Sequence, residues 1–214
     1  MKVLEAEFIT SVVAGNKLPL KNVPIVALIG RSNVGKSSLI NALVKRRIAR
    51  SGSTPGITRL VNVYRVRLST NLIGTRTIMI VDLPGYGYAR GGHKARKIFD
   101  ELVQDFFKMA SSSHTQRFTP NKNLFHTGVI LTVDMRHPGL KSDRLAQAWM
   151  VDNKLPFLVA ATKQDQLSKT MKHRVQQDHE SALEHPVIPV SSKTGEGLDK
   201  LWSSVFKLIS DYLI

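Results

Sequence analysis

The sequence predicts an α/β domain: a mostly parallel, six-stranded sheet with helices on both faces and one antiparallel edge strand. Three observations carry that prediction. Short, nearly continuous apolar runs rich in β-branched residues recur along the chain, as strands buried on both faces require. Amphipathic helical spacings fall between them, and strands alternating with helices imply a parallel sheet. A single segment alternates apolar and charged residues, the mark of a half-exposed strand.

In chain order, the first apolar run is IVALI, Ile25 to Ile29, followed by GRSNVGKS and then SLINALV, a plausible helix. YRVRL sets Tyr64, Val66 and Leu68 against Arg65 and Arg67, and a hairpin through STNLIG would pair it with TIMIV, Thr77 to Val81. A helix is expected from the spacing of Ile98, Leu102, Val103, Phe106 and Phe107. SSSHTQRFTPNKNLFH, Ser111 to His126, is polar and aperiodic and reads as a long surface loop. VILTV (Val129 to Val133) is the next strand, and a helix is expected through Leu145, Ala148 and Trp149. FLVAA (Phe157 to Ala161) and VIPV (Val187 to Val190) close the sheet, before a last helix on Leu198, Leu201, Trp202, Val205 and Leu208. At 214 residues with no repeat or composition break, a single domain spanning residues 1–214 is expected.

Charge is the most telling part of the composition. Lys and Arg number 31 against 16 Asp and Glu, a formal net charge of +15, which favours a polyanionic partner, nucleic acid ahead of an anionic membrane. Basic residues gather in KRRIAR (Lys45 to Arg50), at Arg59, Arg65 and Arg67, and in ARGGHKARK (Ala89 to Lys97). The absence of cysteine removes disulfides, thiolate metal sites and cysteine nucleophiles together. No apolar run is long enough to span a bilayer, and MKVLEAEFIT carries glutamates where a signal peptide would be apolar, so the cytoplasm is the expected location. The histidines show no metal-ligand spacing, and no Ser-His-Asp set is suggested.

Chemistry is concentrated in GRSNVGKS, which fits G-x-x-x-x-G-K-[ST] directly after a predicted strand and before a predicted helix. In such a loop the backbone N–H groups of Gly30, Arg31, Ser32, Asn33, Val34 and Gly35, continuing through Ser37 and Ser38, close around phosphate oxygens. Lys36 would neutralise the β- and γ-phosphates and Ser37 would reach Mg2+. VDLPGYGYA, Val81 to Ala89, ends a buried strand with Asp82, Leu83, Pro84 and Gly85, the order by which P-loop nucleotidases bring a carboxylate near the metal and an N–H near the γ-phosphate. TPGITR, with Gly56, Ile57 and Thr58, lies where an order–disorder switch is expected; Thr58 is the first choice to complete the metal shell and Thr54 the reserve.

TKQD, Thr162 to Asp165, follows a strand at the carboxyl edge of the sheet, where such folds bind ligands. Asp165 can accept from the N1–H and 2-amino group of guanine, which adenine cannot offer. Lys163 would lay its stem along the base, with Gln164 beside it, and Ser191, Ser192 and Lys193 could close over the base edge through backbone N–H groups. GTP or GDP is therefore the expected ligand, with Lys36, Thr58 and Gly85 at the chemistry.

Together GRSNVGKSSLINAL, TPGITR, VDLPGYGYA, TKQD and SSKTGEGLDKL resemble the TrmE–Era–EngA–EngB group of GTPases, and DLPGYGYA with DMRHPGLKSD resembles its EngB (YihA/YsxC-type) members. The resemblance runs from about Phe8 to the C-terminal helix. It implies a Ras-like P-loop GTPase fold, GTP and Mg2+ binding, metal ligands on Ser37, Thr58 and Asp82, and a role in assembly of the large ribosomal subunit linked to cell division and septation. It also implies that K+ can bind through Asn33 beside the phosphates. Thr162 departs from the asparagine that GTPases at large use to contact guanine N7 and to tie down the phosphate loop.

Tyr86 takes the place of the glutamine that orients water in Ras-type enzymes, so slow unaided hydrolysis is expected. Tyr86 and Tyr88 could also offer rings to a base or a ribosomal protein. The ribosomal RNA and proteins of the large subunit or its precursor are the expected partners. No lipidation signal or amphipathic anchor suggests stable membrane association, and a monomer is expected. The alternative is a nucleotide-gated RNA-binding module for which hydrolysis is incidental.

Overall fold

The computed structural model describes residues 2–13, 23–50, 60–70, 74–86, 106 and 127–209. Every apolar run read from the sequence is a strand: β2 (Ile25–Gly30), β4 (Gly74–Asp82), β5 (Thr127–Asp134), β6 (Phe157–Thr162) and β7 (Val187–Pro189), with YRVRL inside β3 (Leu60–Thr70). A further strand, β1 (Lys2–Val13), precedes them. The sheet order is β1-β3-β4-β2-β5-β6-β7. β2 lies parallel to β4 and β5, and β6 and β7 continue the parallel half. β3 runs against β4, and β1 against β3, so the expected antiparallel margin is present. The seventh strand is the difference from the six expected.

β1 is hidden from period-two reading by its own irregularity. Its register against β3 shifts between Val3 and Glu5 and again between Phe8 and Thr10. Each bulge resets which face a side chain meets. Val3 and Ala6 consequently pack on one side of the sheet and Ile9 and Val12 on the other, a spacing of three that resembles no strand template. Cross-strand chemistry secures it: Glu7 pairs with Arg65, Glu5 with Arg67 at 3.2 Å, and the Phe8 and Tyr64 rings meet edge to face at 5.8 Å.

Strand alternation divides the core in two. Ile25, Ala27, Ile29 and their partners on β4 and β5 face α2 (Lys141–Asp152) and α3 (Lys169–Leu183). Val26, Leu28, Ile80 and Ile130 face α1 (Lys36–Val44) and α4 (Leu198–Ile209), where Leu201, Trp202 and Val205 are buried as expected. The indole of Trp202 donates to the carbonyl of Leu43 at 2.9 Å, joining α4 to α1.

Two helices differ from the sequence reading. In α2 the buried stripe is Asp143, Ala146 and Met150, whereas Leu145 is exposed and Trp149 half-buried. The inward face is therefore not the one expected through Leu145, Ala148 and Trp149, and it carries a carboxylate. α3 has a single buried line, Val175, His179 and Leu183, and a histidine in that line conceals its period. His179 shares Asp134 O at 3.2 Å through Nε2, a structural role.

Of the helix expected around Ile98 to Phe107, Phe106 is described, helical and buried in the first core. The TPGITR segment with Thr54, Gly56, Ile57, Thr58 and Arg59, Tyr88, the ARGGHKARK stretch and the Ser111 to His126 loop lie outside the described residues.

Candidate nucleotide site

The carboxyl ends of β2, β4, β5 and β6 converge on one rim of the sheet, and the loops leaving them form the site. After Gly30 the chain turns through Asn33 (φ 62°) and Gly35 (φ 109°), both left-handed, before α1 begins at Lys36. The close approach at Gly30 requires glycine, because a Cβ there would lie 2.5 Å from Thr132 O. The loop thus delivers the first N–H groups of α1, with the positive end of its dipole, to the open rim.

Lys36 Nζ donates to Gly30 O at 3.3 Å, folding the side chain back over its own loop. Ser37 Oγ donates to Asp82 Oδ2 at 3.0 Å. Asp82 ends β4 opposite Leu28 of β2, so strand pairing alone brings the two motifs together. Its second oxygen, Oδ1, is buried without a hydrogen-bond partner. Burial pushes Lys36 downward and Asp82 upward from their ordinary pKa values, while their mutual attraction opposes both shifts.

Leu83, Pro84 and Gly85 lead back across the phosphate loop. Leu83 N donates to Leu28 O at 3.1 Å, Tyr86 N to Gly30 O at 3.2 Å, and Ser32 N to Tyr86 O at 3.1 Å. Gly85 rests so closely on Ser32 that a Cβ would come within 2.7 Å of its backbone nitrogen. Tyr86 does not reach toward the rim: its ring is buried and its hydroxyl donates to Asp143 Oδ1 at 2.9 Å.

At the other end of the site most of the polar side chains are already paired. Thr162 Oγ1 lies 2.6 Å from Val34 O and 3.0 Å from Val133 O, its hydrogen going to the nearer. The hydroxyl therefore makes the tie to the phosphate loop that an asparagine amide makes elsewhere. Lys163 (φ 65°) sends Nζ to Asn33 O and to Asp134 Oδ2, both at 2.9 Å. Asp134 also receives a fork from Arg136, at 2.9 Å from Nε and 2.7 Å from Nη2. Burial alone would raise the Asp134 pKa, but the hydrogen bonds from Arg136 and Lys163 hold it well below the usual carboxylate range.

Asp165 Oδ1 accepts from Ser191 Oγ at 2.6 Å, and Ser191 Oγ in turn accepts from the N–H groups of Lys193 (3.2 Å) and Thr194 (3.1 Å). Ser191 N donates to Glu196 O at 2.9 Å. Of the three backbone N–H groups expected at the base edge, only that of Ser192 is therefore without a partner among the described residues. Gln164 is buried, with Nε2 donating to Glu196 O at 3.2 Å, so it supports the loop from behind.

The structure thus gathers Gly30 to Ser38, Asp82 to Gly85, Thr162 to Asp165 and Ser191 to Lys193 on one rim. The sequence reading omitted Asp134, Arg136 and Asp143. All three stand in DMRHPGLKSD, whose two carboxylates are buried at the ends of a polar loop. An arrangement of backbone donors, a buried lysine, an oxygen pair and an inward-held carboxylate suits a guanine nucleotide.

The family model described as a 50S ribosome-binding GTPase matches residues 25–163. A relative from Heliobacterium modesticaldum, named "Probable GTP-binding protein EngB", is 39% identical, covering 96% of this chain and 96% of its own length. One of the same name from Desulfatibacillum aliphaticivorans is 36% identical, covering 97% of this chain and 93% of its own. A crystal structure described as a probable GTP-binding protein engB aligns with a TM-score of 0.53 at 19% identity, over 87% of this chain and 99% of that one, a likeness of fold.

Proposed function

Because the chain belongs to the EngB family of GTP-binding proteins and is a GTPase, we propose that it is a slow GTP-driven switch in assembly of the large ribosomal subunit, and thereby serves normal cell division and septation. The observation that carries this reading is the direction of Tyr86. The side chain that follows Gly85 is bound to Asp143 inside the core, so it cannot orient an attacking water from there. Hydrolysis then waits for charge supplied from outside the chain, which in GTPases is worth about 10³ to 10⁵ in rate.

In this reading Gly30 to Ser38 hold the phosphates, and Asp165 reads guanine with Thr162, Lys163 and Gln164 bracing the loop. Ser192 N–H is the donor left for the base edge. Ser37 and Asp82 are the residues of the described site that fit Mg2+, since the buried and unpaired Asp82 Oδ1 beside a hydroxyl is an oxygen donor set suited to a hard cation. The ion would neutralise charge at the phosphates. Thr58 is assigned the third ligand position and Gly85 N–H the γ-phosphate contact. Asn33, exposed on the phosphate loop, is the proposed neighbour of K+.

The partner surface is narrower than the sequence suggests. Arg65 and Arg67 face Glu7 and Glu5 and carry little free charge. Lys45, Arg46, Arg47 and Arg50 are exposed beyond the C-terminal end of α1, roughly 13 Å along the helix from the phosphate loop. These, with the basic residues following Tyr86, are the proposed contacts for ribosomal RNA phosphates, with strong salt dependence. The protein is proposed to act in the cytoplasm as a monomeric single G domain.

Single-turnover GTP hydrolysis in K+ and in Na+ at equal ionic strength, each with and without purified large ribosomal subunits, tests the reading. Acceleration by subunits or K+ is expected. GTP bound but accelerated by neither would replace the switch with a nucleotide-gated binding module.

A further inference from the structure

Asp143 is an expensive residue for its position. It is 1% exposed, its Oδ2 has no hydrogen-bond partner, and burial raises its pKa. Its short bond is the one from Tyr86 OH at 2.9 Å; Ser142 Oγ is at 3.4 Å, and Arg31 Nε stands at 3.6 Å. Packing alone would be served better there by an apolar side chain, since a buried carboxylate with an unpaired oxygen costs free energy. The first turn of α2 offsets part of this through the helix dipole.

What the carboxylate does is fix Tyr86, and through Tyr86 the backbone of the loop. Tyr86 is bonded to the phosphate loop on both sides of its peptide, by its N–H to Gly30 O and its carbonyl to Ser32 N–H. Arg31, between those two residues, is the one that approaches Asp143. Gly85 is thereby pressed onto Ser32, with no room for even a Cβ between them. With the Gly85 N–H assigned to the γ-phosphate, drawing it toward a terminal phosphate would load the phenol–carboxylate bond. A diphosphate makes no such demand.

We propose that Asp143 is a positioning residue that, through Tyr86, holds the loop Asp82 to Tyr86 closed on the phosphate loop and so biases the site toward GDP over GTP. This rests on the nucleotide reading of the rim, and it adds a residue that sets discrimination between the two ligands.

The test is the ratio of dissociation constants for GDP and a non-hydrolysable GTP analogue, measured with fluorescent nucleotides in Mg2+. Tyr86→Phe retains the ring and deletes the bond, and is expected to shift the ratio about fivefold to tenfold toward the analogue with GDP affinity nearly unchanged. Asp143→Ala is expected to give the same shift, Asp143→Asn, which keeps an acceptor, a smaller one, and the Tyr86→Phe/Asp143→Ala pair no more than either alone. A ratio unchanged in Tyr86→Phe, or moved toward GDP, overturns the proposal, and this variant decides the matter even if Asp143→Ala fails to fold. Wild-type protein that binds neither nucleotide would instead sink the nucleotide reading beneath it.

Discussion

The two ends of the site are built on opposite principles. At the base end every carboxylate is answered: Asp134 by Arg136 and Lys163, Asp165 by Ser191. At the phosphate end Asp82 keeps a buried oxygen unpaired, and Lys36 is folded onto its own loop. One end is largely pre-organised before the ligand arrives, the other is completed by it. A pre-organised base end provides affinity and selectivity at little ordering cost, whereas an end with unmet electrostatic demand responds strongly to which phosphates and ions are present.

The largest effect should come from the unfinished end. Lys36→Ala removes a buried cation placed for two phosphates, so affinity for GTP and GDP should fall about 100-fold or more by calorimetry. The nucleotide-free protein should melt only moderately lower, because the buried lysine is itself disfavoured by desolvation while its charge partly offsets the burial of Asp82. A large fall in Tm with little loss of affinity would erase the contrast. Asp165→Asn strikes the finished end. Guanine nucleotides should weaken about tenfold to 100-fold, and xanthine nucleotides, which offer an acceptor where guanine has its 2-amino group, should gain. Failure of the preference to move would remove Asp165 from the base.

The same contrast explains what could be read from sequence. β2, β4, β5 and β6 were legible because both faces of each are buried, and their ends, carrying GRSNVGKS, DLPG and TKQD, then had to lie on one rim. β1 was not, because two bulges replace alternation with a spacing of three. α2 and α3 are concealed for a related reason: each buries a polar residue, Asp143 or His179, in its inward line. Thr162 shows the limit of residue identity, since a hydroxyl at 2.6 Å from Val34 O does what an amide was expected to do. Asp143 and Tyr86 lie 57 positions apart, and no local pattern announces such a bond.

A smaller effect should expose the tension at the phosphate end directly. Asp82→Asn keeps an oxygen for the Ser37 hydroxyl and removes a buried charge. The nucleotide-free protein should gain about 1 kcal/mol, seen as a Tm higher by a few degrees. Nucleotide affinity should meanwhile lose its dependence on Mg2+ concentration. A variant less stable than the parent would mean that Asp82 is satisfied as it stands, and the two ends would no longer differ in kind.

The smallest effect is the pH response of the finished end, and its sign follows from the direction of the Asp134 shift. With its pKa held below the ordinary carboxylate value of about 3.9, the native state binds fewer protons than the unfolded chain between those two values. The stability from Asp134 is therefore fully present above about pH 4 and lost as pH falls through that window. Thermal melts of nucleotide-free wild type and Asp134→Asn should differ by a constant amount from pH 7 to 5, and the difference should shrink below about pH 4. Asp82, shifted upward by burial, acts in the opposite sense, so that deprotonating it as pH rises withdraws stability that a bound cation would restore. A gap between wild type and Asp134→Asn that narrows already near neutral pH would show that the Arg136 fork and the Lys163 contact do not hold Asp134 charged, and the base end would have to wait for its ligand as the phosphate end does.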